Sequence, residues 1–113
     1  MDSSAILDRV GGDVDFLEEI AALFAEDSPK LLGDIRRAIE AGNAGALERA
    51  AHTLKGSVAN FGAEPAREAA LQLEMMGRSG NLAPAVEVCN VLEREITRFT
   101  AALLALARQL KPV

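Results

Sequence analysis

Four long segments of this sequence carry apolar residues at steps of three and four, which is the repeat of one face of an α-helix. Alanine and leucine are abundant, and all four aromatic residues are phenylalanine, a bias that favours helices over sheets. The apolar positions of the four segments are Phe16, Ile20, Leu23, Phe24, Leu31, Ile35 and Ile39; Leu47, Ala50, Ala51, Leu54, Val58 and Phe61; Ala66, Ala69, Ala70, Leu73, Met76 and Gly77; and Leu82, Ala85, Cys89, Leu92, Ile96, Phe99, Leu103, Leu106 and Leu110. The pattern predicts four long helices.

Two features of the first third of the chain add to this prediction. Residues 3–10 have apolar residues on one side and end at Gly11-Gly12, which predicts an additional short helix. Pro29 interrupts the first long segment but leaves its apolar phase almost unchanged. One long helix kinked near Ser28-Pro29 and two abutting helices both fit the sequence.

Capping residues mark the other helix boundaries. We predict Asp13 and Asn43 as N-caps and Gly42 as a C-cap. The helix that follows Asn43 is predicted over about 44–61 and ends at Gly62. Pro65 and Pro84 are predicted at the start of the last two helices, which are separated by a turn over 78–81. We therefore expect an all-α fold, an antiparallel four-helix bundle with a short additional N-terminal helix as a lid. Residues 1–113 are expected to form a single domain.

Charge and residue counts exclude several classes of function. With a net charge of −5, the chain is not expected to offer the basic surface that nucleic-acid binding requires. No apolar run approaches the roughly 20 residues of a membrane span, and the first residues do not resemble a signal peptide, so we expect a cytoplasmic domain without membrane insertion. Cys89 is the only cysteine and His52 the only histidine, so neither an internal disulfide nor a zinc site of thiols and imidazoles can form within the chain.

The single histidine, His52, is predicted to lie on the outer face of its helix. At about 100° per residue, it lies roughly 140° from the apolar stripe, and its outward neighbours are Glu48, Lys55, Gly56 and Ala59. A glycine inside a helix costs about 1 kcal/mol relative to alanine, so Gly56 indicates that space is needed one turn beyond the imidazole. An exposed ring nitrogen, an open approach and the nearby Lys55 cation together suit a phosphoryl group.

Histidine suits phosphoryl transfer because its neutral ring offers a lone pair near neutral pH. A phosphoramidate on that nitrogen is energetic enough to pass the group onward, which a serine phosphate ester is not. Lys55 would shield the charge of the phosphoryl group in a loose transition state. A carboxylate that holds the second ring N–H would fix the tautomer, and Glu48 or Glu74 could take this role.

Simpler interpretations of these residues are open at this point. A lone outward histidine on a helix is usually just solvated, Gly56 could permit close helix packing, and Lys55 could be a solubilising charge. Glu48 and His52 could form an ordinary i, i+4 surface pair. Cys89 lies on the core stripe and is expected to be a small buried apolar residue. No metal site is predicted, because a di-iron bundle needs inward-facing carboxylates from several helices and two Glu-x-x-His pairs, whereas His52 faces outward. No nucleotide site is predicted either, because no glycine-rich loop follows a strand.

The run Ala51-His52-Thr53-Leu54-Lys55-Gly56-Ser57 closely resembles the His-x-Leu-Lys-Gly-Ser signature of the histidine-containing phosphotransfer (HPt) family. Other stretches are also similar to that family: Asn60-Phe61-Gly62-Ala63, Leu73-Glu74, Gly77-Arg78, Ala38 to Gly42 and Val10-Gly11-Gly12-Asp13. The resemblance therefore covers nearly the whole chain.

The resemblance implies roles for four residues. His52 would accept the phosphoryl group on the ring nitrogen farther from the backbone. Lys55 would contact that group, and Gly56 would leave room for it and for the active site of a partner. Glu74 occupies a place where relatives often have a polar residue that hydrogen-bonds the imidazole.

The resemblance also implies a phosphocarrier with no cofactor of its own and no ATP-dependent kinase activity. Such domains accept the group from the aspartate of a response-regulator receiver domain and deliver it to another receiver, and the receiver supplies the Mg²⁺. We expect Ala59 and the small residues beside it to form a shallow docking patch for a receiver's first helix. We also expect a monomer, because one bundle uses all the apolar stripes.

Several alternatives are compatible with the same residues. The chain could be free-standing or the C-terminal domain of a hybrid sensor histidine kinase, and it could instead be the phosphoacceptor module of a chemotaxis-type histidine kinase. A non-catalytic helical adaptor with the HPt shape would be expected to have lost His52 or Lys55. A metabolic enzyme fits less well, because the sequence has no second polar constellation. Donor, acceptor and direction of phosphoryl flow are left open.

Overall fold

The computed structural model describes residues 3–110 of the chain. Its helices are α1 (Ser3–Arg9), α2 (Val14–Ala41), α3 (Ala44–Ala59), α4 (Glu64–Ser79) and α5 (Ala85–Leu110), and these residues include no strand. The predicted all-α fold with a short N-terminal helix is confirmed. The predicted domain of residues 1–113 extends beyond the described residues at both ends.

Helices α2 to α5 form the bundle. Both α2 and α4 pack against α3 and α5, so each long helix has two neighbours. The connections between consecutive long helices span two to five residues, which reverses the chain direction and makes those neighbours antiparallel. The large side chains buried along the common axis include Leu17, Ile35, Leu47, Leu54, Leu73, Leu92 and Leu103. Within the described part of the chain, no helix is both long and apolar enough to cross a membrane.

The predicted caps lie at the start of α2 and in the turn between α2 and α3. The side chains of Asp13 and Asn43 each accept a hydrogen bond of 3.0 Å from the backbone N–H three residues later. Gly42 has a φ of 65°, in the left-handed region that favours glycine, and its N–H reaches carbonyl groups of the last turn of α2. These bonds satisfy backbone groups that a helix end leaves without partners.

Pro29 lies inside α2, which is one helix of 28 residues. The structure therefore selects the single long helix over two abutting helices. Ser28 is buried and Pro29 is exposed, so the proline ring lies on the solvent side of α2 and not against the core. Helix α3 ends at Ala59, two residues before the predicted boundary, a difference that is common at helix ends.

The predicted apolar stripe of α2 is wrong at two positions, Phe16 and Leu23. Their exposed fractions are 45% and 56%, and the buried residues of this part of α2 are Leu17, Ala21 and Phe24. The other predicted stripe residues are buried or half-buried against the core. Ile6 and Val10 are also buried, so α1 and the turn after it cover part of that core.

The exposure of Phe16 and Leu23 follows from a difference in helix length. Helix α3 is twelve residues shorter than α2, which corresponds to about 18 Å. Since the two helices are antiparallel and joined by a two-residue turn, the first turns of α2 extend beyond the end of α3. The side of α2 that α3 covers farther along, for example at Leu31, is uncovered at Phe16 and Leu23.

Candidate functional site

His52 lies in the middle of α3 and points outward. Its side chain is 66% exposed, as predicted from its position on the helix. The adjacent buried residues Ala51 and Leu54 fix the rotation of α3 against the core. The imidazole is therefore displayed by a rigid helix and not by a loop.

The ring of His52 is oriented by Glu74 of α4. The distance from His52 Nδ1 to Glu74 Oε2 is 3.0 Å. A carboxylate can only accept a hydrogen bond, so Nδ1 carries the proton and donates it. In the neutral ring the lone pair is then on Nε2, the nitrogen farther from the backbone. The sequence left Glu48 and Glu74 open for this role, and the structure places Glu74 there.

Glu74 is a buried carboxylate, and only 5% of its side chain is exposed. Lys55 Nζ lies 2.7 Å from Oε1, an oxygen with no hydrogen bond among residues 3–110, so this ion pair is what compensates it. The Lys55 ammonium lowers the pKa of Glu74 below its usual 4.5. Burial opposes this shift, and the hydrogen bond with His52 adds to it. Glu74 is therefore ionised at neutral pH, as its acceptor role requires.

The side chain of Lys55 is more restricted than its outward position on the helix indicates. Its side chain is 24% exposed and is held against Glu74. One carboxylate thus positions both the imidazole and the nearby ammonium. An ammonium has three N–H donors, so Lys55 can hold Glu74 and still offer donors to a group beside His52.

Arg78 joins the site, although the sequence gave it no role. Arg78 Nε donates to Glu48 Oε2 at 2.8 Å, and Nη2 donates to Glu74 Oε2 at 3.3 Å. The proximity of Glu48 raises the pKa of Arg78 above its usual value. Glu48 therefore contacts Arg78 and not the imidazole. The spacing of Glu74 and Arg78, at i and i+4 on α4, was the available signal for this pair.

Two glycines within helices have opposite roles at the site. A Cβ on Gly56 would meet no atom within 4 Å, so Gly56 does not serve helix packing and leaves open space one turn from His52. A Cβ on Gly77 would lie 2.6 Å from the backbone nitrogen of Glu48 and 2.7 Å from the carbonyl oxygen of Ala44. Gly77 lets α4 approach α3 closely, which brings Glu74 within reach of His52.

The remaining predicted positions lie outside this cluster. Ala59 is half-buried at the last position of α3, about 10 Å along the helix from His52. Cys89 is fully buried in the core, as predicted, and burial raises the pKa of its thiol. In the described part of the chain, no group of three or more His, Cys, Asp or Glu residues is placed to hold a metal ion.

A helical bundle that displays one oriented histidine beside a lysine and an open glycine is built as a phosphocarrier domain. The family model of the Hpt domain matches residues 19–102. The chain belongs to the Hpt domain family, and its function is histidine phosphotransfer in a phosphorelay. Such domains carry phosphoryl groups in two-component phosphorelays with receiver domains and are not themselves kinases.

A solved structure agrees with this assignment. The chain is similar to the crystal structure of histidine-containing phosphotransfer protein B from Pseudomonas aeruginosa PAO1, with 28% sequence identity and a TM-score of 0.82. The match covers 96% of this chain and 91% of that chain. No curated protein matches.

Proposed function

We propose that His52 accepts a phosphoryl group on Nε2 from the aspartyl phosphate of a receiver domain and passes it to the aspartate of another receiver. The observation that carries this proposal is the hydrogen bond from Nδ1 to Glu74, because it leaves the Nε2 lone pair on the exposed side of the ring. The domain is a carrier in this scheme and needs no nucleotide.

The transfer step follows from this geometry. The Nε2 lone pair forms a bond to phosphorus, and the bond between phosphorus and the aspartyl oxygen breaks and leaves a carboxylate on the receiver. The ring of His52 becomes positively charged as the new bond forms, and the Glu74 carboxylate stabilises that charge. Passing the group onward is the reverse reaction, with the second receiver's aspartate as the nucleophile and a neutral imidazole as the leaving group.

Lys55 acts on the phosphoryl oxygens. Its ammonium is held close to His52 by Glu74, so the charge is in place before the partner binds. In this scheme Mg²⁺ belongs to the receiver's acidic site and neutralises phosphoryl charge there. Gly56 leaves the approach to Nε2 open, and the outward side of α3 as far as Ala59 is the surface on which the receiver lands.

The direct test is transfer from a phosphorylated receiver to the wild-type chain and to His52→Gln. We expect an acid-labile, alkali-stable label on the wild type and no label on the variant, since phosphoramidates have that stability and glutamine has no nucleophilic nitrogen. A folded wild-type chain that takes no label from any of several receivers would favour the adaptor instead. Label on His52→Gln would place the phosphoacceptor elsewhere.

A further inference from the structure

A groove runs between α2 and α5 on the side of the bundle opposite His52. Each long helix has two neighbours, so the face shared by α2 and α5 is opposite the face that α3 and α4 share, where His52 meets Glu74. The groove contains a cavity of about 560 Å³. Its apolar lining includes Pro29, Leu32, Gly33, Ile96, Ala101 and Leu104. A cavity of this size with a mainly apolar lining is typical of a ligand-binding cleft.

Two hydroxyl groups at the wall of this cavity have no hydrogen-bond partner within the described chain. The Oγ1 atom of Thr100 is buried and forms no hydrogen bond with residues 3–110. Ser28 is only 3% exposed, and its hydroxyl has no partner in the same range either. By contrast, the hydroxyls of Thr53, Ser57 and Thr97 each donate to the carbonyl four residues earlier. Thr100 and Ser28 therefore hold unused donors.

Pro29 adds an acceptor to these donors. Proline has no N–H, so the carbonyl of Ala25, four residues earlier, lacks the donor that a helix normally supplies. Ala25 lines the same cavity as Ser28 and Thr100. A peptide amide matches this set of groups, because its carbonyl accepts from a hydroxyl and its N–H donates to a carbonyl. An aliphatic chain or a carboxylate offers no such donor.

Positive charge lies at one end of the groove. A second cavity, of about 490 Å³, shares Arg36 and Glu93 with the first and is also lined by Arg94 and Arg98. Arg36 is paired with Glu93, and Arg98 with Glu95. Arg94 is exposed and has no carboxylate partner among residues 3–110. Arg94 is therefore the cation at this end of the groove that is available to an anionic group.

We infer that the groove between α2 and α5 binds an extended peptide segment of a partner protein, with an apolar side chain in the cavity and an acidic residue at Arg94. The backbone amide beside the apolar residue satisfies the hydroxyls of Ser28 and Thr100 and the carbonyl of Ala25. Thr100 and Arg94 are six residues apart on α5, which corresponds to about 9 Å. An extended chain covers that distance in about three residues, which sets the spacing of the apolar and acidic residues.

Other occupants satisfy fewer of these groups. The amides of a helix are bonded within the helix and are not available to Ser28 or Thr100. A second copy of this chain has no extended segment to offer from residues 3–110, since the connections between its helices span only two to five residues. A fatty acid would meet Arg94 but leave the Ala25 carbonyl without a donor. A partner bound in this groove leaves His52 accessible, so the inference does not depend on the proposed transfer reaction.

The test selects binding segments from a random-peptide library displayed on phage. Selection uses the folded wild-type chain, and peptides that also bind Ala101→Gln are removed. Ala101 is exposed at the wall of the groove, so a larger side chain there fills the groove without disturbing the core. We expect the surviving peptides to share an apolar residue with an aspartate or glutamate about three residues away. In NMR spectra, the backbone amides that shift on peptide binding should be those of α2 and α5.

Thr100→Val tests the role of the unpaired hydroxyl. The variant keeps the shape of the side chain and removes the hydroxyl, so it should weaken binding of the selected peptides by about three- to tenfold. It should also raise the urea midpoint of the free chain, because an unpaired buried polar group is removed. The matched control is Thr53→Val on α3, which loses a hydroxyl bonded to the Arg49 carbonyl and should not change peptide binding.

Arg94→Gln should weaken peptide binding by about two- to fivefold at low ionic strength, and high salt should reduce the difference. Its control is Arg49→Gln, at an exposed arginine of α3. Selected peptides that lack an acidic residue, or that bind Thr100→Val and Arg94→Gln as tightly as wild type, would overturn the inference. A selection without survivors would also overturn it and would mean that water alone fills the groove.

Discussion

Glu74 is the residue on which the site depends, because three side chains use its two oxygens. His52 and Arg78 contact Oε2, and Lys55 contacts Oε1. A carboxylate this deeply buried is unfavourable unless cations and hydrogen bonds compensate it. Two of those compensating groups, His52 and Lys55, are also the ones that the proposed transfer uses. At the residue scale, the contacts that stabilise the buried Glu74 carboxylate are therefore also the contacts that position the phosphoacceptor.

Replacing Glu74 by glutamine should slow phosphoryl transfer by about 10- to 100-fold, the size of effect found when the hydrogen-bond partner of a metal-ligating histidine is removed. Glutamine can still accept a hydrogen bond from Nδ1, but it cannot hold Lys55 by charge or stabilise a cationic ring. Receiver-to-domain transfer rates measure the effect. The matched control is Glu68→Gln, an exposed carboxylate on the same helix, which should leave the rate unchanged.

The same variant predicts a pH dependence of stability. The pKa of Glu74 is lower in the folded chain than its ordinary value of 4.5. Its ionised form therefore stabilises the fold above pH 4.5, and this contribution is lost as the pH falls through the folded-state pKa. Urea unfolding should show wild type losing stability relative to Glu74→Gln on acidification. A wild-type advantage that grows toward low pH would contradict the assignment.

At the scale of the helices, glycine positions decide how α3 and α4 meet and what they expose. Gly77 permits contact between the helices, and Gly56 leaves empty space at the reactive ring. In the sequence, Gly56 is unusual inside a helix, but whether it serves packing or open space is left open, and Gly77 is only a position of the apolar stripe. Only the distance to the neighbouring backbone distinguishes them.

Substituting alanine at the two glycines should have opposite effects on stability. Gly77→Ala places a methyl group against the α3 backbone and should lower the free energy of unfolding by about 1–3 kcal/mol. Gly56→Ala meets open space and should raise it by up to about 1 kcal/mol, while slowing transfer, since the new methyl group faces the phosphoryl site. Urea midpoints and transfer rates test both variants. A destabilised Gly56→Ala would mean that Gly56 serves packing after all.

The sequence predicted most of the elements and half of the site. Periodicity and caps located five helices to within about two residues, because both are local properties of the chain. Rotation about α3 placed His52 outside. The exposure of Phe16 and Leu23 was missed, because it depends on where a different helix ends. Arg78 was missed, because its contact with Glu48 joins residues on two helices.

At the scale of the whole molecule, the bundle is a rod of about 49 × 20 × 18 Å with its reactive group on one long side. A receiver that reaches Nε2 must lie along this side and contact α3 and the helices next to it. The contact has to be brief, since the carrier must release one receiver before it meets the next. Interfaces of this kind are small and only partly apolar.

A charge at the edge of that surface should weaken docking without unfolding the domain. Ala59→Asp should lower transfer efficiency by about tenfold, equivalent to about 1.4 kcal/mol of lost binding. The free energy of unfolding should change by no more than about 0.5 kcal/mol, because the site is only half-buried. Ala101→Asp, at an exposed position of α5, is the control. Unchanged transfer by Ala59→Asp would move the docking surface away from the end of α3.

The polar groups of the site, on Glu48, His52, Lys55, Glu74 and Arg78, all belong to helices, and none of them belongs to a loop. Nothing in the site has to fold or close before the phosphoryl group moves. No conformational change within such a domain favours transfer in one direction, so the domain accepts and donates a phosphoryl group through the same geometry. We expect the net direction of signalling to be set outside the domain, by how much of each receiver is present and how strongly each retains its phosphate.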